Sequence, residues 1–529
     1  MTYESYNHSY GSFFFNNIGS FFNALLRPIH KLNHESENLS HNQPFFSIED
    51  ENNILYADIN KKSSLPPKAL SVGILLAGRE APGVNNVIIG LFQMLKSIHP
   101  DSVLICFSGG FNGLIDGYYE ELQDKDIKDY YAGKKSDLII AGRKKQCSLN
   151  EYDQIEKTIL RLKLNGLVVL GGKYSLIHMA SLNKMFLDNK IKITVVGVPK
   201  TIDGDLKNNI MTLPLGFDTA CKTCSEIIGN IARDAVSSGK YWHFIRLMGQ
   251  DASHIVLECA LQTYPDVVVI AEEVASQNLN IYDLAGLISE KIIHKAKQGK
   301  HYGVILIPDG LIEHLSDLKP LITALNKSPD ALSPPLMRAI KALPEEIHIP
   351  LLTNKDSCGN VDLSAIPIEE WLSLIIEDIL SKKQISLDDY KPFVHSLGYQ
   401  ARAAAPSVFD AEYGSALGIM AALLIQNEKT GYLANVTQLH KPVADWILQG
   451  ISLKDIITLK KNEDNTFIPT IETFSIDLKG PAFIAMKNNL VANNSNETLY
   501  RYPGPIQFYG PETISSAKLI SLQIEYDRS

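Results

Sequence analysis

The feature that most constrains the fold is a series of short apolar, β-branched segments alternating with helical stretches, most of them ending in a glycine turn. From Ala69 onward they fall at Ser71 to Leu76, Val103 to Phe107, Leu138 to Ala141, Gly166 to Leu170 and Ile193 to Val198. Strands that read as continuous apolar runs are buried on both faces, as in a parallel sheet flanked by helices. A second set, Trp242 to Met248, Val267 to Ala271 and Tyr302 to Ile307, predicts a second sheet. The expected fold class is therefore α/β, with two three-layer domains built on parallel sheets. The Leu-rich interval from about 312 to 390 has helical spacing and several prolines, and predicts a mostly helical insertion. Residues 1–66, rich in Asn, Ser, His and Phe up to Pro66-Pro67, read as an N-terminal extension, partly disordered or packed on the body or on a partner.

A chain of 529 residues is too long for one ordinary core. The expected division is 67–235 completed by about 396–450, then 236–395, with 451–529 packing on the body. A net charge of -9 without a long basic run argues against nucleic acid as the main partner. No apolar segment approaches the ~20 residues of a membrane span, and no basic residue precedes Arg27 as a signal peptide requires. Six cysteines in this length suggest a reducing, cytoplasmic location. Cys221 and Cys224 form a Cys-x-x-Cys pair on a helical stretch with no second pair to complete a zinc site, and read as small core residues.

The densest chemistry follows the run ending at Val198, in Pro199-Lys-Thr-Ile-Asp-Gly-Asp-Leu206. Open α/β sheets bind ligands at the carboxyl ends of their strands, and this turn places Lys200, Asp203 and Asp205 there. One carboxylate could serve as a base on a hydroxyl while the other holds a metal or orients the first. Alone, the same turn also reads as an Asx cap on the next helix. Gly78, Arg143 and the Gly171-Gly-Lys-Tyr-Ser175 turn, with Gly172, Lys173 and Tyr174, end neighbouring segments and predict an elongated phosphate cradle. His254 reads as a satisfied core histidine, and Glu258 could reach back into the crevice. Arg402 offers a fork for a sugar phosphate and Tyr399 a flat wall.

Taken in order, these segments resemble the phosphofructokinases, specifically the long pyrophosphate-dependent type, over about residues 69 to 440. The resemblance rests on Pro199 to Leu206, Gly216-Phe-Asp-Thr-Ala220, Lys240 to Gly249 and Gly398 to Arg402. It implies two Rossmann-like domains, a donor (pyrophosphate) domain and a sugar-phosphate domain. It further implies phosphoryl transfer from pyrophosphate to fructose 6-phosphate, with Asp203 as the base. Lys200 would favour pyrophosphate and Asp205 would support the metal. Gly78, Arg143, Gly172, Lys173, Tyr174 and Ser175 would bind pyrophosphate. Thr201, Ile202, Asp203, Lys240, Tyr241, Met248, Gly249, Gln250, Tyr399 and Arg402 would bind the sugar phosphate, with Asp309 in place of the family's glutamate.

The chain departs from the family pattern in three places. The first phosphate turn reads Ala77-Gly78 instead of Gly-Gly, and the family's Met-Gly-Arg reads Met248-Gly-Gln250. Lys173 and Tyr174 replace two aspartates, the first of which is the family's ligand for Mg2+. The resemblance thus implies a Mg2+ cofactor while its main ligand is missing. Two readings follow: an active enzyme, expected as a homodimer, or a catalytically silent paralogue that binds sugar phosphate and assembles with an active sister subunit.

Overall fold

The computed structural model describes residues 24–28, 54–62, 66–131, 134–144, 147–206, 211, 213–327, 332–355, 359–384, 390–461, 467–495 and 500–504. Its strands in chain order are β1 (Ala24–Pro28), β2 (Ile54–Lys62), β3 (Ser71–Leu76), β4 (Val103–Phe107), β5 (Glu120–Glu121), β6 (Gly166–Gly171), β7 (Thr194–Pro199), β8 (Trp242–Leu247), β9 (Val267–Val268), β10 (Gly303–Pro308), β11 (Pro392–Leu397), β12 (Tyr432–Thr437), β13 (Ile447–Ser452), β14 (Ile457–Lys461) and β15 (Phe467–Ile471). The large sheet has the order β1-β2-β13-β12-β7-β6-β3-β4-β5, and the smaller one β11-β8-β10-β9. The centre of the large sheet, β12 through β4, is parallel, as is all of the smaller sheet.

Period-two alternation explains how these strands divide the interior. In β3, Val72, Ile74 and Leu76 face one core, while Leu75 faces another. The first of those cores continues under helix Phe217–Ser238 to Ile245 and Leu247 of β8, so one apolar body joins the two sheets. On the far side of β8, Trp242 and Phe244 pack with the 312–390 interval. That interval is mostly helical, with helices Lys319–Lys327, Pro334–Lys341, Glu345–Thr353 and Ile368–Lys382.

Helix Val408–Gln426 is long and apolar enough to cross a membrane, a feature the sequence reading missed, but it lies inside the protein. It packs on helix Val84–Ile98 at glycine contacts: a Cβ on Gly418 would come 2.2 Å from the Val87 carbonyl oxygen.

Two expected strands are corrected. Leu138–Ala141 forms no strand; the chain crosses the tips of β3 and β4, with only a single bridge from Ala77 to Gly142. Its apolar residues pack across strand ends, Leu138 and Ile139 inward and Ile140 outward, without joining a ladder. The Val267–Ala271 segment pairs only at Val267 and Val268, because Ala271 already starts a helix with Glu272 and Glu273 in its first turn. In the N-terminal extension, β2 pairs antiparallel with β13 and β1 antiparallel with β2, which extends the large sheet at that edge. The rest of residues 1–65 falls outside the described residues.

Candidate active site

The acid turn is pinned from both sides. At the end of β7, the Lys200 N–H donates to the Gly171 carbonyl (3.1 Å) and the Thr201 N–H to that of Leu215 (3.2 Å). Thr201 Oγ1 accepts from the Asp203 N–H at 3.1 Å, tightening the bend. Gly204 has φ 76, and a Cβ there would meet Phe217 and His254 within 3 Å. The bend therefore needs glycine for its conformation and for its space.

This geometry presents Asp203 at the mouth of the sheet. Its Oδ1 has no hydrogen-bond partner and lies 3.8 Å from Arg402 Nη2. Burial, reinforced by the Asp205 carboxylate, pushes the Asp203 carboxyl up to about 6, against the pull of Arg402. Lys200, 4% exposed, is pushed by burial down to about 7, with Glu80 opposing. A carboxyl and an ammonium that both titrate near neutrality, side by side at strand ends, are the kind of pair that proton-transfer chemistry uses.

A cleft of ≈ 350 Å³ opens beside the turn, lined among others by Gly78, Arg79, Gly142, Arg143, Tyr399 and Arg402. Three arginines in one cleft select an anion, and their forked donors suit phosphate oxygens. The wall depends on close backbone approach. A Cβ on Gly142 would sit 1.9 Å from the Gly109 carbonyl oxygen, and Gly142 exchanges backbone hydrogen bonds with Leu76 and Gly78 (3.0 and 2.9 Å). Gly78, Gly172 and Ser175 converge on the same corner: a Cβ on Gly78 would lie 3.8 Å from Lys200 Nζ and 4.0 Å from Ser175 Oγ, and one on Gly172 would lie 3.7 Å from the Lys200 carbonyl oxygen.

The second sheet supplies the opposite wall. Arg402 Nη2 reaches Met248 Sδ (3.3 Å) and Nη1 the Glu80 carbonyl (3.4 Å), so this side chain bridges the strand ends of the two sheets. A Cβ on Gly398 would strike Met248 at 2.7 Å, which seats the Tyr399–Arg402 turn on that methionine. Gly249 and the backbone of Gln250 pack on Ala252 and Gly310, and Asp309 follows directly after β10. Burial, then the Asp203 charge, pushes Asp309 up to about 7.

Lys173 is not turned toward the cleft. Its ammonium lies 2.9 Å from Asp205 Oδ2 and 2.8 Å from Thr473 Oγ1, and also pairs with Asp251. An ammonium has three protons to donate, and these partners use all three. The expected contact of Lys173 with pyrophosphate is thereby replaced by an internal one. The fit for a divalent metal fails at the same point. Asp205, the carboxylate expected to support it, already holds a cation, and among the described residues no group of three or more His, Cys, Asp or Glu is placed to hold a metal.

The other expected residues are placed as follows. Ile202 is fully buried against Gly216, so its side chain belongs to the core and only its backbone remains for a ligand. Lys240 and Tyr241 precede β8 while Met248 follows it, which separates them from the cleft by about 20 Å along an extended strand within one chain. Tyr174 is 63% exposed at the start of helix Lys173–Asp188. Glu258 accepts from Gln262 in its own helix, 2.7 Å away. Cys221 and Cys224 are buried free thiols, and His254 packs its ring on Phe474 with Nε2 2.7 Å from that residue's carbonyl. The sequence reading missed Arg79, Asp251 and Thr473. Arg79 follows Gly78 and was legible as a cation on a phosphate turn; Thr473 had no local signal.

Comparisons with known proteins place this geometry in context. The family model described as phosphofructokinase matches residues 71–425. The chain is 40% identical over 483 residues to a pyrophosphate–fructose 6-phosphate 1-phosphotransferase of Treponema pallidum (strain Nichols), covering 87% of this chain and 84% of the relative. It is 37% identical over 474 residues to a protein of Arabidopsis thaliana named as subunit beta 2 of that phosphotransferase, with 86% and 82% covered. Among solved structures, the pyrophosphate-dependent phosphofructokinase of Marinobacter aquaeolei superposes with a TM-score of 0.56 over 85% of this chain and 98% of its own, at 14% identity.

Proposed function

Because the chain belongs to the phosphofructokinase family, we infer that it transfers a phosphoryl group from pyrophosphate to fructose 6-phosphate, giving fructose 1,6-bisphosphate and phosphate. The observation that carries the reading is Asp203: a carboxylate with an unpartnered oxygen facing Arg402, beside an arginine-lined cleft. With its carboxyl near 6, Asp203 is mostly ionised at neutral pH and accepts the proton of the sugar 1-hydroxyl as that oxygen attacks phosphorus. Arg402, seated on Met248, holds the sugar phosphate. Arg79, Arg143 and Lys200 gather the pyrophosphate oxygens against the backbone at Gly78 and Gly172. Phosphoryl transfer is achieved largely by such positioning and charge neutralisation. Relatives in the family are generally magnesium-dependent, but the residues here do not fit a metal held by the chain, and no step is assigned to one.

The comparisons do not favour the silent-subunit alternative. A coupled assay of the purified chain with pyrophosphate and fructose 6-phosphate tests the reading, and absence of turnover in both directions would overturn it.

Assembly is part of the same proposal. β11 is the open edge of the smaller sheet, and Phe393 (54% exposed), Val394 and the adjoining Tyr241 stand on the surface there. Unpaired edge strands with apolar side chains favour pairing with another chain, which supports a homodimer through this edge. The buried free thiols suit a reducing, cytoplasmic location.

A further inference from the structure

Lys173, Asp205 and Asp251 form a closed cluster next to the base. The Lys173 side chain is 11% exposed and that of Asp205 7%. Two carboxylates this close at the mouth of a phosphate cleft repel each other and any incoming anion unless a cation lies between them. The ammonium occupies that position, 2.9 Å from Asp205 Oδ2, and Thr473 Oγ1 takes its third proton at 2.8 Å. The C-terminal segment holds the arrangement from outside. The Phe474 N–H donates to the Asp205 carbonyl (3.0 Å), His254 meets the Phe474 carbonyl, and the Ile476 N–H reaches Glu272 (3.1 Å). The cation is thus tethered, coordinatively satisfied and covered.

We propose that the Lys173 ammonium is a built-in counterion that takes the place of a protein-held divalent metal between Asp205 and Asp251, so that this chain binds pyrophosphate without a metal fixed by its own side chains. The proposal rests on the pyrophosphate reading above. It follows from valence. Magnesium needs an octahedral shell of oxygens at about 2.0–2.1 Å, manganese takes the same oxygen ligands, and a lysine nitrogen between two carboxylates excludes that shell with its own bulk and charge. Replacing lysine by aspartate would open the position and provide a third carboxylate.

The test is Mn2+ binding to the full-length protein without substrates, followed by electron paramagnetic resonance, alongside calorimetric titration of pyrophosphate in EDTA and in Mg2+. The unsubstituted chain is expected to bind no Mn2+ at this cluster, and its pyrophosphate affinity to change by less than about threefold between the two conditions, under half of a 1.4 kcal/mol step. Lys173→Asp is expected to gain a Mn2+ site that Lys173→Asp with Asp205→Asn loses, and to bind pyrophosphate more tightly in Mg2+ than in EDTA. Lys173→Arg keeps the charge and is expected to stay metal-independent, which serves if the aspartate variant does not fold. The proposal is overturned if the unsubstituted chain binds a Mn2+ ion that Asp205→Asn abolishes, if its pyrophosphate affinity requires Mg2+, if Lys173→Arg becomes metal-dependent, or if a folded Lys173→Asp gains no site. Failure to bind pyrophosphate under either condition would count against the catalytic reading, while the Mn2+ measurements still decide the role of Lys173.

Discussion

Arg402 Nη2 stands 3.8 Å from Asp203 Oδ1, and this pair links the acid turn of the large sheet to the substrate wall of the smaller one. The distance is too long for a hydrogen bond, so the guanidinium steadies the carboxylate electrostatically while leaving its proton-accepting oxygen unoccupied.

Asp203→Asn removes the base and keeps the shape. Turnover is expected to fall by about 10³-fold, within the usual range for losing a positioned general base, while calorimetry still detects fructose 6-phosphate binding. Loss of binding together with turnover would assign Asp203 to substrate holding.

The pH profile follows from the same group. Asp203 must be ionised to act, and its carboxyl lies near 6, so kcat/KM for fructose 6-phosphate should fall as pH drops through that value. Arg402 lowers this pKa, so Arg402→Met should move the acid limb upward. The same substitution is expected to raise KM for the sugar phosphate by about tenfold or more, the loss of one charge-assisted contact. An acid limb that stays in place when Arg402 is removed would mean that another group controls it.

Lys200 sets the other limb. Burial holds its ammonium near 7, so in the free enzyme it loses its charge as pH rises through neutrality. kcat/KM for pyrophosphate should decline on the alkaline side, and Lys200→Arg, which remains charged, should flatten that decline. A variant with an unchanged alkaline limb would exclude Lys200 as its source.

Gly142→Ala tests the backbone wall of the cleft. The added methyl would meet the Gly109 carbonyl oxygen at 1.9 Å, and neither backbone has room to yield. A destabilisation of about 2 kcal/mol is expected, with pyrophosphate affinity falling more than that for the sugar phosphate. Thermal unfolding and the two binding isotherms read these effects separately.

Much of this architecture was legible because β3, β4, β6 and β7 are buried on both faces, so composition alone marks them. The same signal misread Leu138–Ala141, where apolar side chains pack across strand tips; composition reports burial and not pairing. The acid turn was legible since its residues are local. Lys173 was flagged as a departure, yet its partners could not be named: Asp251 lies 78 residues away and Thr473 lies 300. Ile202 entered the candidate site through its place in a motif, whereas its burial depends on Gly216 and the next helix. Lys240 and Tyr241 share a segment with Met248, but an extended strand carries them to its opposite end.

The C-terminal strap carries a consequence for biosynthesis. Among the described residues, Thr473 and Phe474 are the groups latest in the chain that contact Lys173 and the acid turn, and segments translated earlier fold while later residues are still being added. Until the ribosome has passed them, a nascent chain can assemble both sheets but lacks the hydroxyl and the backbone donor that close its charged cluster. A chain that stops short of residues 473 and 474 would therefore leave the Lys173 ammonium one partner short and the Asp205 carbonyl without its backbone donor.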